Sequence, residues 1–144
     1  MDYLAMANEL LDVRAKLLQV PAAQLLVKME RGELFVLNYL VTHDGAIHPK
    51  ELSIALAVST ARIATILNKL EEKKLVQRHI DQEDNRQVII ALTEKGRQEI
   101  LHVRSNVLPQ ISNLLESLGP EDASAFILSQ KKVWQIHQDK CTSK

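Results

Sequence analysis

A mainly α-helical fold carrying one small β-hairpin is predicted by three features of this chain. Apolar residues recur at helical spacing along most of its 144 positions. It is 46% hydrophobic but only 3% aromatic, a composition suited to helices packed through Leu, Ile, Val and Ala. Between Leu75 and Leu92 alone the period switches to two, as in paired strands.

The central stretch runs from Ser59 to Thr93. Ile63, Ile66, Leu67 and Leu70 form the apolar stripe of an amphipathic helix from Thr60 to about Lys73. Ser59 stands where an N-cap belongs, its hydroxyl placed to accept a backbone N–H of the first turn. The opposite face carries Arg62, Thr65, Lys69 and Lys73, donors that can meet phosphates or base edges. Val88, Ile90 and Leu92 then alternate with Ile89 and Ala91, predicting a half-buried strand paired with Leu75–Ile80. Between the strands, Asp81-Gln82-Glu83-Asp84-Asn85-Arg86 is too polar for a core and rich in turn formers.

Upstream, residues 2 to 19 form a helix with a broad apolar side, including Leu4, Ala7, Leu10, Leu11, Leu17 and Leu18. Pro21 interrupts or restarts it, because the residue before proline avoids the α region. Ala22 to Met29 adds a helical turn or two. A clearer helix covers Glu33 to about His43, with Leu34, Leu37, Leu40 and Val41 on one side, and Asp44-Gly45 closes it as a turn. His48-Pro49 opens the next helix with Pro at its first position, and that helix should bury Leu52, Ala55 and Leu56. Ala57-Val58 turns into Ser59. Two short helices so closely joined are a helix-turn-helix, and the hairpin after them makes a winged one.

Downstream, Thr93 is a good N-cap for a long helix bearing Ile100, Val103, Val107, Leu108, Ile111, Leu114, Leu115 and Leu118. Pro109 removes one N–H inside it, so a kink is expected there. Gly119-Pro120 starts a last helix with Ala123, Phe126, Ile127, Val133 and Trp134. Residues 32–93 thus read as a winged helix-turn-helix domain with its own core. Residues 1–31 and 94–144 are left with apolar faces, and patches of that extent are rare on a monomer. Interleaving with a second copy covers them, so a homodimer is expected, these two segments forming its helical dimerisation region.

The sequence also resembles the MarR family of bacterial transcriptional regulators. Leu70-Glu71-Glu72-Lys73-Lys74-Leu75-Val76 is similar to the end of that family's recognition helix. Asp84-Asn85-Arg86, six residues before Leu92-Thr93-Glu94-Lys95-Gly96, is similar to its wing signature. The likeness covers roughly residues 33 to 97. It implies a dimeric repressor on a palindromic double-stranded operator, modulated by a small effector bound between the winged and dimerisation parts. It also implies that Arg86 enters the minor groove beside Asn85, oriented by Asp84. Three positions depart from the pattern: Lys74 stands where Gly is usual, and Thr60 and Thr65 stand where Arg is frequent. A helix ending at Lys74 must therefore turn through a left-handed non-Gly residue.

Site expectations follow from both lines. Ser59, Thr60, Arg62, Thr65 and Lys69 face the major groove: Arg62 can fork to guanine, Thr65 can touch a thymine methyl, and Lys69 meets phosphate. Helix N-termini favour anions, so a phosphate near Ser59 and Thr60 needs little else. Asp84, Asn85 and Arg86 form the wing contact, Arg being favoured in a narrow, electronegative minor groove. The bland alternatives are a surface ion pair between Arg86 and Asp84, and a solvated face in which Lys69, Lys73 and Lys74 pair with Glu71 and Glu72.

Eighteen basic and eighteen acidic side chains cancel, so net charge lends no support to nucleic acid. With the acidic wing residues Asp81, Glu83 and Asp84, it favours a rival: a winged helix that binds protein without DNA. A metal-responsive regulator is a third reading, from His43, His48, His79, His102 and His137 with Cys141, although no carboxylate-rich partner lies near His137 and Cys141. A lone cysteine excludes an internal disulfide framework and fits a reducing, cytoplasmic setting. No signal peptide is expected, nor any run long enough to span a bilayer. There is no Gly-rich phosphate loop, nucleophile elbow or HExxH, so neither catalysis nor a resident cofactor is expected.

Overall fold

The computed structural model describes residues 1–44 and 46–143. The turn expected at Asp44-Gly45 therefore falls partly outside the described residues. The chain divides into two compact units, Met1–Val107 and Leu108–Lys144.

In the first unit, α1 (Tyr3–Leu17) begins where the Asp2 carboxylate accepts the N–H groups of Leu4 and Ala5 at 3.0 and 3.1 Å. Pro21 restarts the helix and does not merely interrupt it. Val20 before it is extended, and Pro21 is the first residue of α2 (Pro21–Met29). The Gln24 side-chain amide closes the corner by donating to the Leu18 carbonyl at 2.6 Å. α3 (Gly32–Thr42) buries Val36, Leu37 and Leu40. Val36, fully buried, was not on the stripe read from the sequence.

α4 (Pro49–Leu56) corrects another expectation. Leu52 is buried and Leu56 partly so, but Ala55 is exposed, and Ser53 goes inward in its place. On a helix of barely two turns the inward face is narrow, and 52, 53 and 56 already fill it. Ser53 is tolerated there because its hydroxyl donates to the Val58 carbonyl at 2.6 Å. That bond also braces the connector, in which Ala57 adopts a left-handed conformation at φ 56°. α5 (Thr60–Glu72) follows, and the axes of α4 and α5 differ by 112°. Helix-turn-helix pairs cross at roughly 90–120°.

β1 (Val76–Ile80) and β2 (Val88–Leu92) pair antiparallel, with Val76 opposite Leu92 and Ile80 opposite Val88. A third partner was not legible in the sequence. The Ile90 N–H donates to the Ile47 carbonyl at 2.8 Å, a one-residue bridge on the other edge of β2. Leu37, Leu52, Ile63, Leu67, Leu70 and Ile100 are the largest fully enclosed side chains, so α3, α4, α5 and the start of α6 share one core.

α6 (Glu94–Leu118) is helical on both sides of Pro109 and runs past the division between units. Its start is locked in place. Thr93 Oγ1 accepts the Gly96 N–H at 3.0 Å and donates to the Lys74 carbonyl at 2.7 Å. Gly96 lies so close to the chain after α5 that a Cβ there would fall 1.9 Å from the Leu75 carbonyl oxygen.

The second unit holds the rest of α6 and α7 (Pro120–Thr142), joined through Gly119 at φ 84°. Neither α7 nor α1 in the first unit buries any residue. Leu10, Leu11 and Leu18 stay exposed in the first unit, as do Phe126, Val133 and Trp134 in the second. Among the described residues, no single helix is long and apolar enough to cross a membrane.

Candidate nucleic-acid interface

The outward face of α5 is set by what its inward face does. Ile63, Ile66, Leu67 and Leu70 are buried, so Thr60, Arg62, Thr65 and Lys69 are turned to solvent. Ser59 caps the helix: its Oγ accepts the Arg62 N–H at 3.1 Å. The remaining free N–H groups of that first turn point outward with the positive end of the helix dipole. Thr65 Oγ1 donates to the Ala61 carbonyl at 3.1 Å, which satisfies its hydroxyl within the helix. Among the described residues, nothing pairs with the guanidinium of Arg62 or the ammonium of Lys69, and both are exposed.

The cations beyond Lys69 are occupied differently. Lys73 donates to both carboxylate oxygens of Glu33 on α3, at 2.9 and 3.1 Å, and Glu33 raises its pKa. Glu71 binds Arg78 Nε at 3.3 Å, and Arg78 Nη2 donates to Asn68 at 2.7 Å, tying β1 across α5. The pairing of Lys73 with Glu71 or Glu72 is thus corrected, because residues one or two apart on a helix do not face each other. Lys74 makes the left-handed turn at φ 61°.

The wing loop is built by its own acids. Asp81 N–H donates to the Gln87 carbonyl at 2.9 Å, closing the neck. Asp81 Oδ1 accepts the Glu83 N–H at 3.0 Å. At the tip, Asp84 Oδ1 accepts the Arg86 N–H at 3.0 Å, and the Gln87 N–H returns to the Asp84 carbonyl at 3.0 Å. Asn85 and Arg86 are exposed there. The expected carboxylate clamp on the Arg86 guanidinium takes another form. Asp84 holds the backbone of Arg86, and among the described residues no ion pair joins their side chains. An Asp bonded two residues ahead points its carboxylate into the turn and leaves the longer Arg free.

Asp81 Oδ2 also meets His48 Nε2 at 2.9 Å. That bond, and then the Glu83 N–H, hold the Asp81 carboxyl below its ordinary value. The contact joins residues 33 positions apart, and no local pattern could have announced it. Tyr39 on α3 donates to Glu51 on α4 at 2.6 Å, and this bond to a carboxylate pushes the phenol up to about 12. His43 stacks on Tyr39 with ring centres 3.7 Å apart. His102 meets the Asn106 side chain at 3.3 Å, and His137 lies 3.7 Å from the Cys141 sulfur. Among the described residues, no three His, Cys, Asp or Glu side chains are gathered as a metal site. An open groove of about 530 Å³ lies between α4 and β2, lined by His48, Pro49, Lys50, Glu51, Ile54, Gln87 and Val88.

A helix-turn-helix whose second helix presents unpartnered donors, followed at once by a hairpin with an arginine at its tip, defines a winged helix-turn-helix protein. The chain belongs to the family described as transcriptional regulator SarA/Rot, whose profile matches residues 24–103. A regulator of Bacillus subtilis, YwaE, is 30% identical over 88 residues, covering 55% of this chain and 52% of YwaE. The chain spans between about half and two thirds of the length of the curated relatives it matches. In fold it is similar to a MarR family protein from Bacillus stearothermophilus, with TM-score 0.70 and 24% identity over 96% of this chain and 99% of that one. It is similar also to S. aureus MepR in complex with DNA, with TM-score 0.67 and 23% identity over 90% of this chain and 96% of that one.

Proposed function

We propose that the chain is a homodimeric, DNA-binding transcriptional repressor of the cytoplasm. It places two copies of α5 in successive major grooves of a palindromic operator and is modulated by a small effector. Residues 32–93 are its reading domain, and residues 1–31 and 94–144 its dimerisation region. Ser59, Thr60, Arg62, Thr65 and Lys69 serve the major groove, and Asp84, Asn85 and Arg86 serve the wing contact.

The observation that carries the reading is the state of the cations. Among the described residues Arg62 and Lys69 are unpaired, and they share the outward face of a helix whose other face is core. Lys73 and Arg78, off that face, are consumed by internal contacts. The MepR structure, a protein of the same fold, contains DNA. The exposed apolar residues of α1 and α7 support a second copy as their cover. Two-fold pairing would set the recognition helices about 34 Å apart, one turn of duplex.

The rival, a winged helix that binds only protein, drew on the acidic wing. Two of its three acids are committed to the loop itself. Asp81 and Asp84 accept wing N–H groups, which gives both a part in the loop's own fold while each keeps its charge. Titration of a duplex selected by the protein from a random library separates the readings. Binding through several phosphate contacts falls by orders of magnitude between about 50 and 200 mM salt. Arg86→Ala should weaken it about tenfold, the cost of one charged contact, with the dimer intact. Salt-independent binding, or equal affinity for the variant, would refute the DNA reading or the wing's share of it respectively.

A further inference from the structure

The hairpin that carries Arg86 is thinly supported. From Gln77 to Ile80, and from Gln82 to Val88, every residue is exposed. Arg78 ties β1 to α5 through Glu71 and Asn68, and on the other side two consecutive residues of the connector before α4 hold the hairpin. The Ile47 carbonyl accepts the Ile90 N–H at 2.8 Å. The His48 ring reaches Asp81 at 2.9 Å, the two side chains being 30% and 14% exposed. His48 occupies the N-cap position of α4, yet its side chain caps nothing there. It leaves the helix it precedes and binds the wing. Asp81 is the one residue where the neck closure, the loop's first side-chain bond and this tie converge.

The lever arm matters. Arg86 stands four positions before Ile90, a reach of about 13 Å at strand spacing. A play of about 10° at the Ile47–Ile90 bridge would therefore move the arginine by roughly 2 Å, and contact constellations tolerate only about 0.5 Å. The Ile47–Ile90 bridge and the Arg78 tie lie at one level of the hairpin, since Arg78 is paired with Ile90, and together they act as a hinge. A further tie, offset along the hairpin, removes the freedom to swing.

We propose that His48, through Asp81, is a positioning residue for the wing: it fixes the hairpin against the helix-turn-helix so that Arg86 meets the duplex at a set height. The proposal rests on the DNA-binding reading for its effect on affinity, but the mechanical tie is measurable without DNA.

The full chain, His48→Ala and His48→Gln are compared first by amide hydrogen exchange. Gln keeps a donor of similar reach. Faster exchange at Glu83, Arg86 and Gln87 in His48→Ala, restored in His48→Gln and with α5 unchanged, is expected. Unchanged wing exchange overturns the proposal whatever the protein does with DNA. Exchange raised throughout the chain reports general loosening and overturns it as well. The second arm uses a labelled duplex selected by the wild-type chain, at fixed salt. His48→Ala should weaken binding about tenfold, and His48→Gln should recover most of that loss. Combined with Arg86→Ala, His48→Ala should add nothing further, because both remove one contact. Additive losses overturn the proposal, since His48 would then act elsewhere. Failure of the wild-type chain to select any duplex refutes the DNA reading, and with it the effect on affinity, while leaving the exchange result to decide the tie.

Discussion

Gly96→Ala tests the packing that holds the hairpin's root. The added methyl would stand 1.9 Å from the Leu75 carbonyl oxygen and 2.8 Å from its carbon. Both are backbone atoms, so no side chain can swing aside. The start of α6 would have to retreat by about 1.5 Å to reach ordinary contact. Three bonds span that gap or depend on it: Thr93 N–H to the Leu75 carbonyl at 3.1 Å, Thr93 Oγ1 to the Lys74 carbonyl at 2.7 Å, and Gly96 N–H to Thr93 Oγ1 at 3.0 Å. At about 1 kcal/mol net each, their loss costs about 3 kcal/mol. Alanine returns about 1 kcal/mol of helix propensity. The expected change is therefore a loss of about 2 kcal/mol, a sizeable share of a domain's 5–15 kcal/mol or so. Urea unfolding followed by circular dichroism, with the slope checked for constancy, measures it. A variant as stable as wild type would show that the approach of α6 to Leu75 is not tight, and would refute the reasoning.

Two further outcomes are expected. Lys74→Gly should stabilise the fold by about 0.5–1 kcal/mol, since Lys74 holds φ 61° where a side chain is strained and its carbonyl, not its ammonium, makes the Thr93 contact; unfolding at neutral pH reads this, and a destabilised variant would contradict it. Asp81 has a depressed pKa, so its contribution is complete above the ordinary carboxylate value of 3.8 and is lost as pH falls through the lowered folded value. The stability gap between wild type and Asp81→Asn should accordingly be constant near neutrality and close in acid; a gap that widens in acid would reverse the sign of the linkage.

What the sequence made legible was local. The stripe of α5 needs only 3.6-residue geometry, and Ser59 only its place before that stripe. The two strands were legible from the alternation after Leu75–Ile80, but of Val88, Ile90 and Leu92 only Ile90 is buried, and the register was not legible. The left-handed turn at Lys74 came from comparing one position with a family pattern. What stayed hidden was made by contacts between distant positions. Lys73 and Glu33 are forty residues apart, His48 and Asp81 thirty-three, and neither pair leaves a trace in periodicity. Ile47 pairs through one residue, too short to show a period. Ala55 failed for a different reason: two turns of helix offer several apolar faces, and the bond from Ser53 to Val58 decides among them. The wing acids were visible as charge, but whether they face a partner or their own backbone depends on turn geometry.

The hairpin's attachments differ in kind, and that difference decides how mutational data should be read. At the root, Leu75, Thr93 and Gly96 are joined largely through backbone atoms next to the core, so a change there must cost stability before it alters the wing. At the neck, His48 and Asp81 are joined through side chains at the edge of the fold, where the buried residues of α5 are untouched. Root substitutions should lower stability and duplex affinity together. Neck substitutions should lower affinity while stability falls only by the small gap that Asp81→Asn measures. A neck variant that loses far more stability would mean that the wing is part of the cooperative core, and that its orientation cannot be tuned separately from folding.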